Sequence, residues 1–144
     1  MTSPGPKRLP CYCASLRQAT RVVTQFYDGA LRPVGLTSTQ FNLLEALDLA
    51  PEARTGDIAA ALAMDSTTVT RSLKLIEQAG WIRPLETKDR RERRWKLTAQ
   101  GRARLASARP HWEAAQEQVR VALGEAKAEG LQALSYRLVQ KLGS

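Results

Sequence analysis

Between Thr55 and Gly101 the chain is punctuated so tightly that few folds remain open to it. Asp65 is placed to cap a helix that runs to about Ala79, and Gly80 to end that helix in the left-handed conformation glycine tolerates. The apolar face of this helix is Val69, Leu73 and Ile76, one stripe at helical spacing. A shorter helix precedes it, from about Thr55, which can cap it, to Ala63, with Ile58, Ala59 and Leu62 on its apolar side. Met64 and Asp65 make the turn between the two. The face of the second helix opposite its apolar stripe carries Ser66, Thr67, Thr68, Thr70, Arg71 and Lys74. These are hydrogen-bond donors and cations with almost no anions, as a helix entering the major groove of DNA requires.

A hairpin follows. Trp81 to Leu85 and Arg94 to Thr98 read as two strands, with residues 86–93 as the connecting loop. Lys88, Arg90, Arg91, Arg93 and Arg94 crowd that region against Glu86, Asp89 and Glu92. A run of charge is ordinarily a solvated face. Here the excess is positive and comes directly after the donor-rich helix, where it would reach phosphates or the neighbouring minor groove.

These residues carry a family resemblance. Asp89-Arg90-Arg91 followed by Leu97-Thr98-Ala99-Gln100-Gly101 is similar to the wing signature of MarR-family transcription regulators. Recognition helix, wing and following helix stand in the family's order, and the resemblance covers nearly the whole chain, most strongly residues 12–101. It implies a mainly α fold with a small β-hairpin wing, a winged helix-turn-helix flanked by N- and C-terminal dimerisation helices. It also implies that Arg91 enters the minor groove and that Asp89 orients it. With the helix, the expected DNA-binding set is Ser66, Thr67, Thr68, Thr70, Arg71, Lys74, Lys88, Asp89, Arg90, Arg91 and Arg93.

The bounds agree with that reading. A chain of 144 residues, 43% hydrophobic, has material for one compact domain. Its formal charge of +8 favours a polyanionic partner. No apolar run is long enough to span a bilayer and the first residues hold no hydrophobic signal core, so the expected compartment is the cytoplasm, where Cys11 and Cys13 stay reduced by default. No Gly-rich phosphate loop, telling carboxylate pair or histidine close to a nucleophile in sequence is present, so the chain reads as a non-enzyme with no cofactor.

Outside the central stretch, residues 1–10 read as a mobile tail rich in Pro, Gly and basic residues. A helix from residues 11–14 to about Leu31 carries Tyr12, Leu16, Ala19, Val23, Phe26 and Ala30 on one face, and Pro33 and Gly35 close it. Thr37 or Ser38 caps the next helix, to Leu49, with Phe41, Leu44, Leu47 and Leu43 as its apolar side. After Gly101 a long helix runs to about Leu123, with Leu105, Ala108, Trp112, Ala115, Val119 and Ala122 forming a coiled-coil-like seam. Pro110 predicts a kink or a break in it. A last helix spans about Ala126 to Leu142. The domains expected are therefore a tail (1–10), a helical dimerisation region (11–36 and 102–144) and the DNA-binding domain (37–101). Terminal helices so apolar on one face either fold back on the centre or pair between two chains. The resemblance implies the second: a homodimer that offers two recognition helices to a pseudo-palindromic operator in double-stranded DNA.

The function expected is a dimeric, sequence-specific transcription regulator, a repressor released by a small ligand or an oxidant. The rival classes are a winged-helix protein-interaction module and a non-specific architectural DNA binder without an effector. For the oxidant, the candidates are Cys11, Cys13 and Tyr27. Cys13 resembles the peroxide-sensing cysteine of the organic-hydroperoxide branch of the family, and Tyr27 the tyrosine that hydrogen-bonds it there. Cys13 and Tyr27 lie about 21 Å apart along one helix and would meet only across a dimer. That branch's second tyrosine, four residues after the cysteine, is Arg17 here, which could instead lower a thiol pKa. The alternative is a cysteine that only packs. For a ligand, the candidates are Tyr12, Leu16, Phe26, Phe41 and Trp112, each equally an ordinary core or interface residue. A metal site is not expected from two thiolates and a single histidine, His111.

Overall fold

In the computed structural model, residues 2–89 and 92–143 are described. Helix α1 (Tyr12–Leu31) leads through a 3-10 turn (Arg32–Val34) into α2 (Ser38–Leu49), α3 (Thr55–Ala61) and α4 (Ser66–Gln78). Strands β1 (Ile82–Pro84) and β2 (Trp95–Leu97) form the hairpin, and α5 (Ala99–Leu123) and α6 (Glu125–Leu142) complete the chain. The fold is mainly helical with a two-stranded antiparallel hairpin, as the patterning predicts.

Local chemistry sets most boundaries. Gly35, at φ 71°, turns the chain out of the 3-10 turn. Thr37 then caps α2 in a reciprocal box: the Gln40 N–H donates to Thr37 Oγ1 at 3.2 Å, and the Thr37 N–H to Gln40 Oε1 at 3.0 Å. The Ser38 N–H donates to Asp28 Oδ1 at 2.7 Å, which ties the start of α2 to α1. Gly80, at φ 83°, ends the helical run of α4 and its following turn. Gly124, also at φ 83°, separates α5 from α6.

Four expectations need correction. Thr55 does not cap α3. Arg54 is the N-cap residue, and Thr55 spends its hydroxyl accepting the indole N–H of Trp95 at 2.9 Å. α3 also stops at Ala61, because the turn begins early and Ala63 takes a left-handed φ of 51°. The long helix starts at Ala99 rather than after Gly101, since Thr98 caps it by accepting the Gly101 N–H at 3.0 Å. Nor does Pro110 break α5, which runs unbroken to Leu123. Buried Ala108 and Ala115 flank the proline, and Trp112 stacks on Phe41 with ring centroids 5.7 Å apart, so packing on both sides offsets the missing backbone bond.

The core lies under the central stretch. Phe41, Leu43, Leu44 and Leu47 of α2, Ile58 of α3, and Val69, Leu73 and Ile76 of α4 are all at most 2% exposed. Ile82, Trp95 and Leu97 close it from the hairpin, and Leu31, Leu105 and Ala108 attach α1 and α5. The outer helices differ. α6 buries no residue, and α1 buries only Leu31. Their apolar side chains, among them Leu16, Val23, Leu134 and Leu142, lie open in the single chain. No described helix is long and apolar enough to cross a membrane.

Candidate nucleic-acid interface

The donor-bearing helix is rigidly seated. Its apolar stripe, Val69, Leu73 and Ile76, is wholly buried, so the opposite face is fixed outward. Asp65 caps it, with Oδ1 accepting the Thr68 N–H at 3.0 Å and Oδ2 accepting the Thr68 hydroxyl at 2.5 Å. These two bonds, the hydroxyl first, pull the Asp65 carboxyl below the usual carboxylate range. They also separate Thr68 from the other donors: its hydroxyl is committed to the cap. Ser66, Thr67, Thr70, Arg71 and Lys74 instead line one shallow depression of about 440 Å³, all of them exposed.

The hairpin is anchored to the head by its tryptophans. Trp95 is buried, donates its backbone N–H to the Ala53 carbonyl at 3.1 Å and holds Thr55 through its indole. The Arg54–Arg94 bridge adds a third extended segment beside β2. Register pairs Ile82 with Leu97 on the buried side and Arg83 with Lys96 on the other. Lys88 and Asp89 are exposed in the loop, where the Asp89 carbonyl accepts both the Thr87 hydroxyl and the Glu92 N–H. Arg90 and Arg91 lie outside the described residues.

Two arginines of the basic run are held by the fold. The Arg93 guanidinium sits over the Trp95 ring at 5.5 Å, and Arg94 donates to the Glu52 carbonyl at 3.1 Å. Arg93, expected among the DNA contacts, thus packs on the tryptophan that anchors the wing. Sequence reasoning passed over Arg54 and Arg83, which add exposed cations near the hairpin; Arg54 pairs with Glu92 at 3.5 Å. The extended stretch between Pro51 and α3 was the available signal for the third segment.

The effector candidates are dispersed. Tyr12, Leu16 and Cys13 line an apolar trough of about 880 Å³ between α1 and α6, with Arg17 and Arg21 beside them. Phe41, Trp112 and Tyr27 line a separate cavity of about 370 Å³ among α1, α2, α5 and α6. Phe26 lines a third, with His111. The five aromatic and aliphatic residues expected to share one ligand pocket do not share one within this chain. Cys11 and Cys13 are free and exposed. The Tyr27 hydroxyl donates to Gln116 Oε1 of its own chain, and burial raises its pKa against the opposing influence of Arg120. Its hydrogen bond therefore goes to a neighbour in the same chain, which the sequence spacing does not reveal.

A short capped helix, a tight left-handed turn, a second helix with its donors outward and a basic antiparallel hairpin together define a winged helix-turn-helix. The model of the MarR family matches residues 34–92, the head from the end of α1 into the wing. The M. tuberculosis transcriptional regulator MosR, solved in complex with DNA, is 34% identical and superposes with a TM-score of 0.74 over 86% of this chain and 98% of that one. The transcriptional repressor CouR, solved bound to a 23-mer DNA duplex, is 25% identical with a TM-score of 0.81, covering 90% of this chain and 92% of that one. The HTH-type transcriptional regulator YwoH of Bacillus subtilis is 30% identical over 83 residues, which span 58% of this chain and 61% of that relative's length. The chain belongs to the MarR family of winged helix-turn-helix regulators.

Proposed function

We propose that this protein is a homodimeric repressor that binds a pseudo-palindromic DNA operator and releases it when an oxidant or a small ligand changes the spacing of its two heads. The observation that carries the reading is the seated α4, whose buried stripe turns Thr67, Thr70, Arg71 and Lys74 outward as one exposed surface. A chain charge of +8 and two similar proteins solved with DNA support a duplex as the partner. Support for the dimer comes from the apolar faces of α1 and α6, where Tyr12 is 89% exposed and Leu142 78%. So much apolar surface on two adjoining helices is the mark of an interface. A DNA partner supports the cytoplasm as its compartment.

Footprinting on the DNA upstream of its own coding sequence tests the reading. Expected are two protected half-sites about one helical turn apart and an affinity that falls steeply with salt. Uniform protection without sites would favour an architectural binder, and no DNA binding would leave the protein-interaction module. Sedimentation at micromolar concentration gives the second arm: a clean monomer would overturn the dimer.

A further inference from the structure

Helix α5 belongs to two parts of the molecule. Its first turns sit in the core through Leu105 and Ala108, Trp112 extends that contact by stacking on Phe41 of α2, and its later turns run beside α1 and α6. Pro110 stands between Ala108 and Trp112, inside the stretch that packs on the head, and it cannot donate the N–H that the Ala106 carbonyl would otherwise accept. The helix backbone alone is thus least resistant to bending at this point. Just before it, Arg109 grips α2 with both ends of its guanidinium: Nη2 lies 2.7 Å from Asp48 Oδ2, and Nη1 3.8 Å from Glu45 Oε1. Asp48 and Glu45 stand one turn apart on α2, so a planar fork can span both, whereas a lysine ammonium is a single point charge.

We infer that Arg109 is a positioning residue for DNA recognition: its forked ion pair fixes the angle between the head and α5, and through it the half-site spacing the dimer accepts. This inference rests on the dimeric, operator-binding reading above. Adding one base pair between half-sites moves the second by about 3.4 Å along the duplex and turns it by about 35°. A dimer follows that change only by re-angling its heads on α5, against two such clamps.

The test is binding-site selection from a random duplex library by wild type, Arg109→Gln, Arg109→Lys and Asp48→Asn. Affinities are then measured for the selected operator, for spacers one base pair longer and shorter, and for an isolated half-site. Wild type should select one spacer. Arg109→Gln should keep the half-site sequence, the half-site affinity and the thermal melt, but accept altered spacers, the penalty per base pair falling by up to about fivefold per clamp. Asp48→Asn should shift the profile the same way, and Arg109→Lys should lie between. An Arg109→Gln profile with the wild-type spacing preference overturns the inference, as does a uniform loss that includes the isolated half-site. Should wild type itself select no paired half-sites, the dimeric reading fails first, and that failure shows without any variant.

Discussion

Gly101 is the position at which one methyl group should do most damage. It is buried in the first turn of α5, and an added Cβ would lie 1.9 Å from the Trp81 carbonyl oxygen and 2.9 Å from its carbon. That is about 1.4 Å closer than a tolerable C–H···O approach of about 3.3 Å. The carbonyl cannot simply swing aside, because it accepts the Thr98 N–H at 3.0 Å. Thr98 in turn donates its hydroxyl to the Gly80 carbonyl at 2.6 Å and caps α5 through Gly101. The guanidinium of Arg104 lies over the Trp81 ring at 5.2 Å and confines it further. Gly101→Ala therefore strains a junction where α4, the hairpin and α5 meet. Overpacking costs about 1–3 kcal/mol and a disturbed hydrogen bond about another 1 kcal/mol, against a gain in helix propensity of up to about 1 kcal/mol. The net is a loss of about 1–3 kcal/mol, or about 3–10 °C in melting temperature for a chain of this size. Thermal unfolding followed by circular dichroism measures it, with Gly56→Ala as the control, since a Cβ at Gly56 meets nothing within 4 Å. If Gly101→Ala melted within about 2 °C of wild type, the junction would be looser than these distances require, and the reasoning would fail.

Three further outcomes are expected. Arg71→Ala should relax base preference at one position in each half-site, worth about 1–3 kcal/mol of discrimination, when binding sites are selected in parallel with wild type; an unchanged motif with evenly reduced affinity would assign Arg71 to the phosphates. Because the folded state holds the Asp65 carboxyl below its usual range, its contribution to stability is fully present above the ordinary carboxylate value and is lost as pH falls through the depressed one. Asp65→Asn should accordingly flatten the acid limb of stability in melts run from pH 5 downward, and an identical limb in both proteins would refute the assignment. Mild peroxide should weaken operator binding by wild type about 5- to 150-fold, reversibly by thiol, with Cys13→Ser indifferent; wild-type binding untouched by peroxide would return Cys13 to packing.

The head was legible because its residues make local bargains that spacing reveals. Asp65 and Gly80 bracket α4 by side-chain capping and by left-handed backbone, and Val69, Leu73 and Ile76 sit at intervals that only a helix puts on one face. The same reasoning finds the start of α3 but misassigns its cap, because Thr55 is a good cap by type yet its hydroxyl is claimed by Trp95, forty residues away in sequence. Pro110 is the mirror case: its local rule is right, but contacts of Trp112 with Phe41 hold the helix through it. Local chemistry sets an element's default, and a partner distant in sequence decides whether the default holds.

The same principle sorts the candidate DNA contacts, where composition alone could not. Thr67 and Thr68 are identical side chains at adjacent positions. On the helix, Asp65 takes both the hydroxyl and the N–H of Thr68, while Thr67 and Thr70 stay with Arg71 and Lys74 on the open surface. On the hairpin, Trp95 draws Arg93 onto its ring and Glu52 holds Arg94. A donor already satisfied within the fold must give up that bond before it can serve a base or phosphate, and the exchange returns little net energy. Mutating Thr68 or Arg93 should therefore register first in folding of the helix end or the wing, whereas Thr67, Thr70 and Arg71 can be changed with the loss falling on DNA. The line between scaffold and contact runs through residues of the same type, drawn by which neighbour reaches each one first.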